Sequence, residues 1–322
     1  MQVKNGNSHL LKRFAYTNKN LELFIIALVI CFAIVILQTI LVIPYSQAIS
    51  VSNKSGSCNC IVFRMDDIQD YWIRQGQIDP MNIFISKHQP LSLGLIMDSI
   101  GNDSTIVNEI RNGSRMGLFE LAIHGWNHTD YTKLSEQEQK NSLQLANEKM
   151  KKLFGVTSDI FFPPYDTFNN STLQAMRQLG FKILSSHIDQ YLTPAAKKSI
   201  FVNNNNNNNN ANTNSGTQNQ KILQLPSVFS VQYTYHNKTF QNSLQTVIGN
   251  ATRAIAKFGY AIVVLHPQDF MKVDASGNLT DIVDESEING LSNLIDSVLS
   301  RNMKIASLSE VVAGNIKSAN VS

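Results

Sequence analysis

Two apolar runs in this sequence are followed by side chains of the types that commonly bind metal ions in proteins. One run ends at Ile123 and is followed by His124 and, four positions later, by His128. The other lies upstream and ends in the paired acids Asp66 and Asp67. Two histidines at this spacing are common by chance, so a metal site is indicated only when the upstream acids are considered with them. Together the runs predict two buried strands that form two walls of one metal site.

Apolar segments of strand length alternate with helical segments along the rest of the chain. Strands are predicted over residues 61–67, 91–96, 118–123, 160–162, 181–184, 222–225, 260–265 and 304–306. Helices are predicted over 106–111, from the capping box at Ser135 to about 154, from an Asn170 cap to Gly180, and over 243–258 and 288–302. This alternation indicates an α/β fold built on a mainly parallel sheet or barrel. In such folds, functional sites gather at the carboxyl ends of the strands.

The N-terminal region has the pattern of a membrane anchor. Residues 1–22 carry basic but almost no acidic side chains, and residues 23–43 are almost wholly apolar. A run of that length predicts one transmembrane helix, and the basic flank places the N-terminus in the cytoplasm. A cleaved signal peptide, with a small-residue site near Ser46–Ala48, is the alternative. In either case the rest of the chain is exported.

The remaining boundaries follow from composition. Residues 44–60 are predicted as a linker, 61–314 as the catalytic domain and 315–322 as a tail. An Asn-rich stretch over 203–220 is predicted as a disordered insert, because it cannot bury enough apolar surface. Cys58 and Cys60 are too close in sequence for an easy unstrained disulfide. A net charge of +3 gives no argument for nucleic acid as a partner.

The residues at the predicted strand ends suit metal-assisted hydrolysis. Asp67, His124 and His128 make a three-ligand site with open positions, suited to zinc and to other divalent ions. A metal held in this way lowers the pKa of bound water and polarises a carbonyl. Asp66 can act as a base on that water, and His266, after another apolar run, can protonate the leaving group. The chemistry that fits is hydrolysis of an amide or an ester.

Four short motifs in one order resemble the polysaccharide deacetylase superfamily, the NodB-like carbohydrate esterases. The resemblance covers about Ile61 to Val312. The motifs are Arg64–Asp67, His124–His128, Phe161–Tyr165 and Val263–His266.

The resemblance implies a role for each site residue. Asp66 is the general base and His266 the general acid, while Tyr165 lies beside the oxyanion through its backbone N–H. Asp67, His124 and His128 hold the metal, and zinc is the expected ion. The implied fold is a distorted (β/α)7-type barrel. The implied activity is removal of acetyl groups from N-acetylated sugars of an extracytoplasmic polysaccharide or glycan, which breaks a carbon–nitrogen bond.

The sequence departs from the family at one important position. Phe162 stands where the family usually has an arginine that orients the base. Arg64 lies two residues before Asp66 on the predicted strand, so the two side chains should share a face. We therefore predict that Arg64 supplies the missing guanidinium. Two alternatives stay open: a non-catalytic carbohydrate-binding or envelope protein on the same fold, and an O-deacetylase.

Overall fold

The computed structural model describes residues 58–187, 222–227, 229–235 and 238–319. The predicted anchor over 23–43, the basic tail before it and the Asn-rich insert over 203–220 lie outside these ranges. Within the described residues, no helix combines the length and the apolar composition that crossing a membrane requires.

A parallel sheet forms the centre of the fold. Its strands are β1 (Cys60–Ile68), β2 (Leu91–Leu95), β3 (Phe119–Ile123), β4 (Ile160–Phe161), β5 (Ile183–Leu184), β6 (Leu223–Gln224), β7 (Phe229–Ser230), β10 (Tyr260–Leu265) and β13 (Lys304–Ile305). Two antiparallel hairpins lie outside it, β8 (Gln232–Tyr235) with β9 (Lys238–Gln241), and β11 (Met271–Val273) with β12 (Leu279–Val283). The strand order is β6-β5-β4-β3-β2-β1-β10-β7, and β13 pairs with β1. The predicted strands of the α/β fold are therefore present.

The sheet curls because its two outer strands are close in sequence. Strands β6 and β7 stand at opposite ends of the strand order, yet only four residues separate Gln224 from Phe229. Such a connection spans about 17 Å at most. The two edges are therefore brought near each other, although the described residues of β6 and β7 do not pair. This half-barrel agrees with the predicted distorted barrel.

Among the described residues, the first six helices pack on the outer face of the sheet, and the last helix contributes Leu308 and Val311 to the apolar cluster on the other face. The helices are α1 (Arg74–Ser86), α2 (Ser104–Arg115), α3 (Glu136–Phe154), α4 (Asn170–Leu179), α5 (Leu244–Phe258), α6 (Glu285–Ser300) and α7 (Leu308–Ala319). The large apolar cluster between helices and sheet includes Ile61, Phe63 and Met65 from β1. The alternating β1 residues Cys60 and Val62 belong to a second cluster on the other face, which also contains Phe162. Arg64 and Asp66 continue this inner face toward the carboxyl end of β1.

Capping residues fix the ends of α3 and α4. Ser135 and Glu138 form the predicted capping box, and Gly155 ends α3 in the left-handed conformation. The cap of α4 is Asn169, whose side chain accepts the N–H of Thr172, so the predicted cap at Asn170 was wrong by one residue.

Three features differ from the sequence-based expectation. Helix α1 was not predicted, since Gly76 and Pro80 interrupt its apolar pattern. Helix α7, which follows β13, was not predicted either. Cys58 and Cys60 form a disulfide with their Cα atoms 5.2 Å apart. The left-handed conformation of Asn59 brings the two cysteines together, which their spacing in the sequence does not reveal.

Candidate active site

Three side chains converge at the carboxyl ends of β1 and β3. Oδ1 of Asp67 lies 3.1 Å from Nε2 of His124 and 3.0 Å from Nε2 of His128. One donor atom from each of the three residues lies within 4.8 Å of the other two. The structure thus brings together the three predicted metal ligands.

The backbone adopts unusual conformations to place these ligands. Strand β3 ends at Ile123, so His124 is the first residue beyond it. Asp67 and His128 both have positive φ angles, 61° and 48°, and Gly125 between the histidines has φ 81°. Non-glycine residues enter this region rarely, and such residues cluster at functional sites. The turn after β3 is what brings His128 back beside His124.

The donor set fits a divalent metal ion. Nδ1 of His124 lies 2.9 Å from the carbonyl oxygen of Phe162, and donating a proton there leaves Nε2 as the ligand atom. Burial opposes ionisation of Asp67, but its contacts with His124 and His128 hold its pKa far below the ordinary value. One carboxylate and two imidazoles suit zinc and related ions.

Arg64 and Asp66 form a buried ion pair on the inner face of β1. Nε of Arg64 lies 2.8 Å from Oδ1 and 3.1 Å from Oδ2 of Asp66, and Nη2 also donates to Oδ2. Only 1% of the Arg64 side chain is exposed. Burial alone would raise the pKa of Asp66, but the charges of Arg64, His124 and His266 outweigh it and lower that pKa. The carboxylate is therefore kept ionised.

The rest of the Arg64 guanidinium contacts the ends of β4 and β5. Nη1 donates to the backbone oxygen of Ser185 at 2.9 Å, and Nη2 to Oδ1 of Asp166 at 3.1 Å. The guanidinium carbon lies 4.4 Å from the ring centre of Phe162. The Phe162 ring therefore stacks on the Arg64 guanidinium. Phe162 itself occupies the position at which the resemblance led us to expect an arginine.

His266 follows β10 directly and is held by a buried acid. Oδ2 of Asp269 accepts the backbone N–H of His266 at 2.7 Å and lies 3.8 Å from Nδ1 of its ring. The His266 side chain is 29% exposed. Burial raises the pKa of Asp269 to about 6 against the opposing charge of His266. The charge of His266 also lowers the pKa values of Asp66 and Asp67, so the three side chains are electrostatically coupled.

Tyr165 lies at the tip of a tight turn after β4. Its φ is 58°, and the following residue, Asp166, has φ 55°. Tyr165 is 64% exposed, and the centre of its ring lies 4.7 Å from that of the His128 ring. The turn therefore places Tyr165 beside a predicted metal ligand.

Four residues of the site were not predicted from the sequence. Asp166 and Ser185 contact Arg64, and Asp269 contacts His266. Gly94 on β2 is the fourth: a Cβ there would lie 2.9 Å from Cδ2 of Phe162 and 3.0 Å from Oδ1 of Asp66. A glycine inside an apolar strand often marks such a close approach. That signal was available for Gly94, but Asp166 and Ser185 had none.

Residues 91–184 match the family model described as polysaccharide deacetylase. This range carries His124, His128 and Tyr165, all at the site described above. This segment of the chain is therefore similar to the polysaccharide deacetylase family. The remaining site residues, Asp66, Asp67, Arg64 and His266, lie outside the matched range, and the fold brings them to the same place.

One solved polysaccharide deacetylase shares the fold of this chain, and other solved structures resemble it. A putative polysaccharide deacetylase from Mycobacterium smegmatis is 16% identical, with a TM-score of 0.55 over 80% of this chain and 90% of that one. The Xyl-CE4 domain of a xylanase from the Trinervitermes trinervoides hindgut metagenome is 18% identical, with a TM-score of 0.47 over 78% and 88%. A CE4 family pseudoenzyme from Bacillus anthracis is 12% identical, with a TM-score of 0.48 over 79% and 65%. No curated protein matches the sequence.

Proposed function

We propose that this protein is a divergent member of the polysaccharide deacetylase family and an active, metal-dependent hydrolase that removes acetyl groups from N-acetylated sugars of a polysaccharide or glycan. The observation that carries the proposal is the position of Asp66. This buried carboxylate is held ionised by Arg64 and lies next to Asp67 in the candidate metal site. A protein that only bound carbohydrate would have no need for a base in that place.

Asp67, His124 and His128 are the residues that would hold the ion, and zinc is the ion that we propose. When bound, such an ion supplies Lewis acidity that polarises a carbonyl and makes a nearby water more acidic. The fixed hydrogen bond from His124 to Phe162 keeps its Nε2 turned toward Asp67.

The other side chains move or stabilise charge. Asp66 takes a proton from the attacking water, with Arg64 orienting its carboxylate. His266 gives a proton to the amine that leaves, and its contact with Asp269 keeps the loop after β10 in place. The backbone N–H of Tyr165 donates to the oxygen of the acetyl group as negative charge develops on it.

We also propose that the chain is exported and anchored in the membrane by residues 23–43, with its N-terminus in the cytoplasm. The apolar run with its basic flank supports this. The Cys58–Cys60 disulfide fits an oxidising compartment outside the cytoplasm. N-terminal sequencing of the membrane-extracted protein tests the anchor. A mature start near Ile49 would contradict it and favour a cleaved signal peptide.

Two other functions use the same residues. The phenylalanine at position 162, where the family usually has an arginine, favours a non-catalytic carbohydrate-binding protein as the second candidate. An O-deacetylase would use the site in the same way on an ester.

Acetate release separates these possibilities. Full-length protein in detergent, loaded with zinc, should release acetate from N-acetylated oligosaccharides. Release only from O-acetylated oligosaccharides would identify an esterase. Binding of the oligosaccharides without any acetate release would favour the non-catalytic protein.

A further inference from the structure

Asp166 takes no part in the proposed reaction, yet its side chain reaches the guanidinium of Arg64. Its Oδ1 lies 3.1 Å from Nη2 of Arg64. The Asp166 side chain is 30% exposed, whereas that of Arg64 is 1% exposed. Asp166 therefore lies between the buried guanidinium and solvent.

The guanidinium of Arg64 joins three separate parts of the sheet. Nε and Nη2 donate to Asp66 on β1, and Nη1 donates to Ser185 immediately after β5. Nη2 also donates to Asp166 in the turn after β4. Because a guanidinium is planar and rigid, fixing one side of the fork restricts the geometry at the other.

The turn that Asp166 belongs to needs such support. Tyr165 and Asp166 are consecutive non-glycine residues with positive φ. Such conformations are unfavourable for residues other than glycine, and they persist only where the surrounding structure holds them in place. The Asp166 N–H donates to Pro163 at 3.0 Å, and Oγ of Ser186 donates to the Asp166 carbonyl. The ion pair with Arg64 is the contact that ties this turn to β1.

We propose that Asp166 is a positioning residue that, through Arg64, fixes the base Asp66 and the Tyr165 turn relative to each other. The proposal rests on the proposed function. One arginine thus orients the group that takes a proton from water and the turn whose N–H contacts the acetyl oxygen. Asp166 itself touches neither the substrate nor the reacting atoms.

The test compares Asp166→Ala with Asp166→Asn in the full-length, zinc-loaded protein. Asp166→Ala should lower kcat on the order of tenfold, with KM changed less than about twofold, because only the alignment of the reacting groups is lost. Asp166→Asn should recover part of kcat, since its amide oxygen can still accept from Nη2. Zinc content should stay that of the parent in both variants.

A second comparison tests whether the effect of Asp166 on kcat depends on Arg64. In an Arg64→Lys background, Asp166→Ala should lower kcat clearly less than in the parent, because a lysine ammonium cannot bridge both carboxylates. Asp159→Asn is the matched control. Asp159 forms an ion pair with Lys182 at 2.7 Å, just before the opposite end of β4. Its replacement should leave kcat unchanged.

Two results would overturn the proposal while leaving the proposed function intact. One is an unchanged kcat in Asp166→Ala, and the other is the same fold loss in both backgrounds. If Asp166→Ala fails to fold, Asp166→Asn supplies the same comparison. If the parent releases no acetate from any oligosaccharide, the proposed function is wrong and this inference falls with it.

Discussion

The guanidinium of Arg64 and the carboxylate of Asp66 lie two positions apart on one strand and share a hydrogen bond of 2.8 Å. Strand alternation puts both side chains on the inner face of β1, so the contact needs no loop to form. At Phe162 the motif arginine of the family is absent. We infer that the missing positive charge is supplied from within β1 itself.

Removal of the Arg64 charge should shift the pH dependence of turnover. The pKa of Asp66 is lowered, so Asp66 stays ionised into the acid range. Because the charge of Arg64 opposes the effect of burial on this pKa, Arg64→Ala should move the acidic limb of the kcat profile to higher pH. Arg64→Lys should restore only part of the parent profile, because a point charge cannot replace a fork.

The pH profiles of the Arg64 variants need a control that each variant is folded. Arg64→Ala leaves a buried carboxylate without its partner, which costs roughly 3–5 kcal/mol. The melting temperature and zinc content of each variant therefore accompany its pH profile. If the folded Arg64→Ala variant has the turnover and the acidic limb of the parent, Arg64 does not replace the motif arginine.

Zinc binding should depend on the two histidines. The parent protein should bind about one zinc ion, as a site with three protein ligands implies. A His124→Ala/His128→Ala double variant should bind none at that site, measured by elemental analysis after dialysis. The exposed His88, replaced by alanine, is the control and should keep the stoichiometry of the parent. Full zinc occupancy in the double variant would exclude the proposed ligands.

The strands and the main site residues could be predicted because local patterns determine them. Apolar runs gave the strands, and polar residues directly after these runs gave His124 and His266. The capping box at Ser135 located the start of α3. Helix α1 was missed because Gly76 and Pro80 are poor local signals, although packing against the rest of the fold still forms the helix.

The contacts between distant segments could not be predicted. Asp166 and Ser185 reach Arg64 from 102 and 121 positions away in the chain. Their approach depends on strand order and on the positive φ angles of the β4 turn, and neither leaves a pattern in the sequence. Arg64 was predicted because its partner lies on the same strand.

Gly94 should be sensitive to the smallest substitution. A Cβ in Gly94→Ala would press on the Phe162 ring at 2.9 Å and on Oδ1 of Asp66 at 3.0 Å. We expect kcat to fall on the order of tenfold, because even a small displacement of the base misaligns it. Gly249→Ala is the control: this glycine lies inside α5, and its nearest contact is 3.7 Å away. The Gly249→Ala variant should keep full activity. Normal turnover in Gly94→Ala would mean that β2 can shift to accommodate the methyl group without misaligning Asp66.

Asp269 should make the stability of the protein depend on pH in the mildly acidic range. Its folded-state pKa of about 6 lies above the ordinary value of 3.8, because burial favours the neutral acid. Its contribution to stability is therefore fully present below pH 3.8 and is lost as the pH rises through about 6. In chelator-treated protein, Asp269→Asn should gain stability relative to the parent between pH 4 and pH 8, by roughly 3 kcal/mol at most.

Asp130 is the control, because its titration should change the stability of the protein with pH in the opposite direction. Hydrogen bonds from Thr132 and Thr167 lower the pKa of Asp130 to about 2. Its stabilising contribution is present above the ordinary pKa and is lost as the pH falls toward 2. Asp130→Asn should therefore be less stable than the parent at pH 7, with the gap closing in acid. Thermal melting across pH measures both variants. A constant difference between Asp269→Asn and the parent from pH 4 to pH 8 would mean that Asp269 titrates alike in the folded and unfolded chains.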